Sequence, residues 1–275
     1  MAILDDGRSR RKCIARGETS LPGLVMLVDD SDLSRIIYHS LAGEFHIERV
    51  IREGKVSRST FLKRRLKKLG WRKVLGQILF VKLLTPYLRR ESAKRKTAIL
   101  REYGMIEASI PAELVVDVSS VNDEQTISLL QKLSPSVVVV NGTRIIEETV
   151  LNTTSGVFLN THVGLTPLYR GVHGGYWALA AGDPEHCGVT IHKIDRGIDT
   201  GAVVAQTMIR PTSTDNFSTY PLLQIANAIP KLKDAVHNAL SGTLTTLPAW
   251  TGKSKLWSHP TAWEYLRNRI RLGVR

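Results

Sequence analysis

The sequence predicts an α/β chain built on an open, mostly parallel, twisted sheet with helices on both faces, and three observations carry that expectation. Short apolar runs of strand length, LVMLV at 24–28 and VVVV at 137–140, alternate with stretches whose apolar residues recur at helical spacing. The second run is β-branched throughout, as suits a strand buried on both faces. The chain also opens strand, helix, strand, the unit from which a Rossmann-like sheet is wound. With 275 residues, 43% of them hydrophobic, there is enough apolar surface for one large domain with appendages or two small ones.

Taken in order, residues 1–20 read as a flexible polar arm. Residues 24–28 form a strand ending in Asp29 and Asp30, and Ser31 is placed to cap a helix carrying Leu33, Ile36, Ile37 and Leu41, stopped by Gly43. Residues 45–51 make the second strand. No glycine-rich phosphate turn joins strand to helix; three acids, Asp29, Asp30 and Asp32, surround the helix start and would repel a phosphate there. The sheet resumes over 110–121, and a helix runs from 123 to 133, where Ser134-Pro135 breaks it. Residues 137–140 are a strand, 147–151 a short helix, 156–159 a strand, 188–194 another, and 202–208 another. A helix over 221–240 covers the sheet, with Pro230 as a kink. The tail from 247 to 275 holds three of the five tryptophans and is expected to pack on the core or to form a homodimer contact.

The net charge of +13 is concentrated. Between Arg52 and Lys96 sixteen Lys and Arg face only Glu53 and Glu91, so the basicity belongs to one segment. Residues 54–104 read as a helical basic insertion within an α/β domain spanning 21–246, with Leu62, Leu66, Leu69, Val74, Ile78, Val81 and Leu84 as its inner stripe and breaks at Gly70 and Pro86. Three readings stand open for residues 55–96: a helical pair with solvated charges, attachment to a membrane surface with Trp71 and Tyr87 as interfacial aromatics, or contact with RNA or another polyanion. Only Cys13 and Cys187 occur, no signal peptide is visible, and no run of about 18 apolar residues exists, so the expected location is cytoplasmic, with membrane periphery open.

The chemistry concentrates between 157 and 201. Asn160 and His162 stand two apart, so on an extended backbone both side chains leave one face. Asp199 lies where the following strand gives way to a glycine loop. An amide, an imidazole and a carboxylate at strand ends occupy the region where open α/β sheets place their sites. His162, His173, His186, Cys187, His192 and two Asp within forty positions raise a zinc hydrolase as an alternative, but no H-E-x-x-H or paired Cys spacing appears, and no metal is expected.

Asn160-x-His162, the Leu-x-Pro-x-x-Arg-Gly turn after it, and Gly-x-Thr-x-His with an Asp-x-Gly seven residues beyond together resemble the folate-dependent formyltransferase family. The likeness is strong over 114–206, weaker over 24–53 and absent elsewhere. The resemblance implies transfer of a formyl group from 10-formyltetrahydrofolate to a primary amine, with Asn160, His162 and Asp199 catalytic. Attack on a formyl carbon builds an oxyanion that wants donors aimed at it, which Asn160 and a protonated His162 can supply, while Asp199 relays the proton. The resemblance also implies that the loop after residue 140 lines a pteridine pocket largely through its backbone, making Asn141, Gly142, Ile145 and Asp195 candidates for cofactor binding. Arg170 and Gly171 are candidates for the acceptor, Arg170 by a bidentate contact to a phosphate or carboxylate or, equally, by a salt bridge within its loop. His173, His186 and His192 are read as structural, His192 standing behind the site. The expected acceptor is a small-molecule amine, an amino sugar ahead of glycinamide ribonucleotide; an RNA- or membrane-surface-binding protein on the same fold is the non-enzyme alternative.

Overall fold

The computed structural model describes residues 23–54 and 65–275. Its strands are β1 (Leu24–Val28), β2 (Ile47–Glu53), β3 (Val115–Val118), β4 (Val137–Asn141), β5 (Val157–His162), β6 (Tyr169–Gly171), β7 (Gly188–Lys193), β8 (Val203–Met208) and β9 (Lys255–Trp257). Its labelled helices are α1 (Asp32–Ala42), α2 (Trp71–Leu79), α3 (Thr85–Glu91), α4 (Ala93–Glu102), α5 (Glu124–Leu133), α6 (Glu148–Leu151), α7 (Gly174–Ala180), α8 (Tyr220–Leu240) and α9 (Ala262–Leu272). One sheet runs β3-β2-β1-β4-β5-β7-β8, and β6 pairs with β9 apart from it. Pairing is parallel from β3 across to β5 and antiparallel at β7 and β8. This is the mostly parallel, doubly covered sheet that the apolar runs imply.

Alternation along the central strands explains the two covering layers. Leu24, Met26 and Val28 of β1 join Val137 and Val139 of β4 in one core cluster, packed with Ile36 and Leu41 of α1 and Leu223 and Leu232 of α8. Val25, Leu27, Val138 and Val140 turn the other way, onto Leu130 of α5 and Val150 of α6. A strand that buries both faces must be apolar at every position. The caps fall where expected: Ser31 accepts from the Ser34 N–H at 3.3 Å, and Asp123 accepts from the Thr126 N–H at 2.9 Å. The strand expected over 110–121 is shorter, only β3, because Pro111 leads into a 3-10 turn at Ala112–Leu114.

Between β2 and β3 the chain is helical from residue 65 to Glu102, apart from a turn at Ser92 and Gly70 (φ +78°), which breaks it as expected. No break comes at Pro86. Instead α2 passes through a π turn, Phe80–Leu84, into α3, and the wider turn lets the Thr85 N–H reach back to the Phe80 carbonyl and brings Pro86 into the first turn of α3, where its missing N–H costs little. Phe80, Leu88 and Ile99 are buried inward, but Leu66 and Val81, expected inward, face out. The body holds this segment by ring contact of Phe80 with Phe217 and Tyr265, by Asn216 donating to the Leu88 carbonyl at 3.1 Å, and by Arg95 on Asp215 at 2.8 Å. The tail packs on the core: β9 lies beside β6, and α9, opened by a Thr261–Glu264 capping box, buries Tyr265. The expected arm at 1–20 and Leu62 lie outside the described residues. Among the described residues no helix is long and apolar enough to cross a membrane.

Candidate active site

The strand order reverses between β1 and β4, and the carboxyl ends of β1, β4 and β5 open on the same edge. Along β5, Phe158 enters the α5-side cluster, so by alternation Asn160 and His162 leave the sheet on that same face. The antiparallel register sets His192 of β7 directly across from Asn160, which brings these side chains together. The turn after β7 then carries Asp199 back over the end of β5.

The resulting cluster is tight. His162 is buried and donates from Nε2 to the Tyr169 carbonyl at 2.8 Å, so its Nδ1 faces Asp199 Oδ2 at 3.4 Å. His192 donates from Nδ1 to the Lys193 carbonyl at 2.7 Å, which leaves Nε2 to accept from the Asn160 amide at 3.1 Å. The same Nε2 stands 3.7 Å from Asp199 Oδ1. The Gly171 N–H donates to Asp199 Oδ2 at 2.8 Å. Asp199 is held in the left-handed region, φ +52°, and Gly171 has φ +95° with no room for a Cβ against the Trp257 carbonyl. Arg170 completes the brace, donating to the Ile198 carbonyl at 3.0 Å and to the Ser254 hydroxyl at 2.9 Å.

Electrostatics follow from this packing. Burial pulls the His162 pKa below its ordinary value, opposed by the Asp199 charge and the Tyr169 carbonyl. Burial pushes Asp199 upward, but the two imidazoles and the Gly171 N–H outweigh it and hold the carboxyl below the usual range. An ionised Asp199 therefore faces a neutral His162 whose Nδ1 lone pair points at it. That leaves one open proton position between the two groups.

The structure thus brings Asn160, His162 and Asp199 together and adds His192, which the sequence reading set behind the site. It also shows both His162 nitrogens engaged internally, so the free donor in the cluster is the second N–H of Asn160. Arg170 and Gly171 hold Asp199 and its turn. Asn141 leaves β4 on the opposite face and donates to the Ser34 hydroxyl at 2.9 Å. Gly142 has φ +73° and is pressed against the Asp29 carboxylate; Ile145 is exposed, its carbonyl accepting from Asn122 at 2.9 Å. Asp195 turns into its own loop, accepting from the Gly197 N–H at 3.0 Å and the Thr200 hydroxyl at 2.7 Å. The loops after β4 and β7 lie side by side: Ile194 packs on the cluster containing Ile146, and Arg196 pairs with Glu148.

A cavity of about 700 Å³ lies near the start of α1, lined by Asp30, Asp32, Arg89, Lys96, Ser218 and the pair His173 and His259, among others. The two imidazoles are 3.1 Å apart. Burial, then the charge of His259, holds His173 well below its ordinary value; burial, then the charge of Arg65, holds His259 down at about 4. The acids at the start of α1 are already engaged: Asp29 accepts from the Ser31 and Ser34 hydroxyls, Asp30 pairs with Arg35 at 2.7 Å and Asp32 with Lys96 at 2.9 Å. Gly164 separates the cavity from the cluster around His162, since a Cβ there would sit 2.6 Å from His162 Nε2 and 3.1 Å from the Gly174 Cα, next to His173.

Residues 86–222 match the family model described as formyl transferase. The methionyl-tRNA formyltransferase of Finegoldia magna is 37% identical over 102 residues, 36% of this chain and 33% of that protein. The GDP-perosamine N-formyltransferase of Brucella melitensis is 33% identical over 78 residues, 28% of this chain and 30% of that protein. The matched stretch thus spans about a third of the length of these relatives. In fold, the chain is similar to a sugar N-formyltransferase from Shewanella (TM-score 0.52, 16% identity, 84% of this chain and 76% of the other). It is also similar to a phosphoribosylglycinamide formyltransferase from Anaplasma phagocytophilum (TM-score 0.53, 14% identity, 86% and 97%). By the matched residues and by the sheet on which they lie, this chain carries a formyl transferase domain.

Proposed function

We propose that the protein transfers a formyl group from 10-formyltetrahydrofolate to the primary amine of a small-molecule acceptor, an amino sugar. The observation that carries this reading is Asp199 set 3.4 Å from His162 and 3.7 Å from His192, with the Asn160 amide on the same side. 10-Formyltetrahydrofolate supplies the formyl carbon and a leaving nitrogen. The adjacent loops after β4 and β7, with a left-handed turn at Gly142, are the ones this reading assigns to the folate heterocycle. Asn160 donates its second N–H to the formyl oxygen as negative charge builds there. Asp199 takes the proton that the attacking amine gives up and shares it with the Nδ1 lone pair of His162. As the new C–N bond completes and the old one breaks, the same proton passes to the leaving nitrogen, so the residues end as they began.

The choice of acceptor rests on the cavity. The imidazoles and the Ser218 hydroxyl, whose oxygen has no hydrogen-bond partner among the described residues, suit a ligand rich in hydroxyls, with Arg89 and Lys96 in the same lining. A ribose phosphate is disfavoured because Asp29, Asp30 and Asp32 stand where the helix start would otherwise attract it. The GDP-perosamine N-formyltransferase among the relatives supports the same choice. The test follows tetrahydrofolate release from 10-formyltetrahydrofolate in the presence of nucleotide-linked amino sugars, glycinamide ribonucleotide and methionyl-tRNA. Turnover with an amino sugar, lost in Asp199→Asn, supports the reading. Turnover confined to either other acceptor, or unchanged in that variant, overturns it.

A further inference from the structure

The face of α2 and α3 turned away from the body carries a second apolar stripe. Trp71, Leu75, Leu79, Leu83 and Tyr87 recur every four residues and are 65, 45, 36, 64 and 57% exposed. A four-residue step in an α-helix overshoots a full turn, so such a stripe normally drifts round the axis. The π turn at Phe80–Leu84 has more residues per turn and undershoots, which brings the row back towards line. The inward face of the same helices is already satisfied, with Val74, Phe80 and Leu88 buried. Beside it runs α9, whose Trp263 ring lies against Gly76 and whose Tyr265 ring is 5.2 Å from that of Phe80. There Trp263, Leu266 and Ile270 also point outward, Ile270 at 82% exposure, and Trp71, Leu75 and Trp263 share one depression.

Charge surrounds these residues. Lys67, Lys68, Arg72, Lys73, Lys82, Arg89, Arg90 and Lys94 form no ion pair with any described residue. The one acid of this stretch, Glu91, is tied to Arg269 and Arg275 at 2.8 Å each. An apolar row ending in Trp and Tyr, edged by cations and about 24 Å long, has the form of a helix lying in the plane of a bilayer interface. A nucleic acid would use the cations and the aromatic rings but gives the leucines and Ile270 nothing to bury against.

We propose that this surface docks the protein on an anionic phospholipid bilayer, with the row from Trp71 to Tyr87 entering the headgroup boundary and the flanking lysines and arginines contacting lipid phosphates. The full-length protein is floated with vesicles of phosphatidylcholine alone and with about 30 mol% phosphatidylserine, a fraction that gives the charged surface lysines respond to. Flotation with the anionic vesicles only is expected, with a blue-shifted tryptophan emission. Leu83→Glu combined with Trp71→Ser, both at exposed positions, lowers the bound fraction at least tenfold while far-UV circular dichroism and Tm stay as in the parent. Four results each overturn the proposal: no flotation with anionic vesicles; flotation unchanged in the double variant; retention by RNA without flotation; or a dimer in light scattering that the double variant dissolves.

Discussion

Exchanging the carboxylate at residue 199 for an amide keeps the shape of the side chain and, since asparagine also tolerates a left-handed backbone, keeps the turn. Asp199→Asn is therefore expected to fold normally and to lose formyl transfer by about 10²-fold or more, read from tetrahydrofolate release. Asn160→Ala removes the donor proposed for the developing oxyanion and is expected to cost about 10² to 10³ in kcat. In the proposed reaction a proton on His162 fills the position that the acceptor amine's proton enters, so kcat/KM should rise with pH along a limb lying below the ordinary histidine value, 6.5. A limb above 6.5 in the pH–rate profile would contradict the burial argument. Asn160 and His162 were legible in sequence because a two-residue step on a strand fixes a common face. His192 was not, because its place opposite Asn160 depends on an antiparallel register that no local pattern encodes. Asp199 was found only through its motif: spacing alone does not say that a loop folds back over a strand end.

At the scale of elements, the tail is fastened where its His259 meets His173, with Gln77 donating to the His259 carbonyl at 2.7 Å and Trp177 donating to the Ser258 carbonyl at 2.9 Å. An unfolded chain binds protons at these imidazoles near pH 6.5, whereas folded His259, buried and facing Arg65, resists until about pH 4. Folding stability should therefore be at its full value above pH 6.5 and fall as pH drops towards 4. A His173→Leu/His259→Leu variant should show a shallower decline in Tm over that window, measured by thermal denaturation. Gly171→Ala should cost at least about 1 kcal/mol, since it combines a positive φ with a clash on the Trp257 carbonyl; the check is a denaturant midpoint. Most helices and strands were legible from periodicity. The continuation through Pro86 was not, because a π turn leaves no compositional mark and moves the backbone bonds that proline would otherwise break.

For the whole molecule, the basic segment and the tail are locked together through few acids. The hydrogen bond from Arg269, opposed by burial and reinforced by Arg275 and Asn216, holds Glu91 down at about 2. A depressed carboxyl contributes stability that is present above its unfolded value, 4.5, and lost as pH falls towards 2. Glu91→Gln should therefore lower Tm at neutral pH and remove part of the steepness of acid unfolding below pH 4.5, as a pH series of melts will show. Asp215, its side chain fully buried, depends on Arg95 together with Thr212; Arg95→Met should destabilise by about 3 kcal/mol by leaving that carboxylate without its cation. Composition alone located the excess positive charge between residues 52 and 96. What it did not contain was the division of that stretch into an inner face that packs and an outer face that does not, because both faces are apolar and only the fold decides which is covered.

The left-handed backbone at Asp199 has an evolutionary reading. Glycine, asparagine and aspartate are the residues that sit there at least strain, so substitutions that abolish the carboxylate need not disturb the turn. A relative bearing Gly or Asn at this position would retain its architecture and its ligands' shape while its chemistry disappeared. That single position is where a pseudoenzyme descended from this scaffold should first reveal itself.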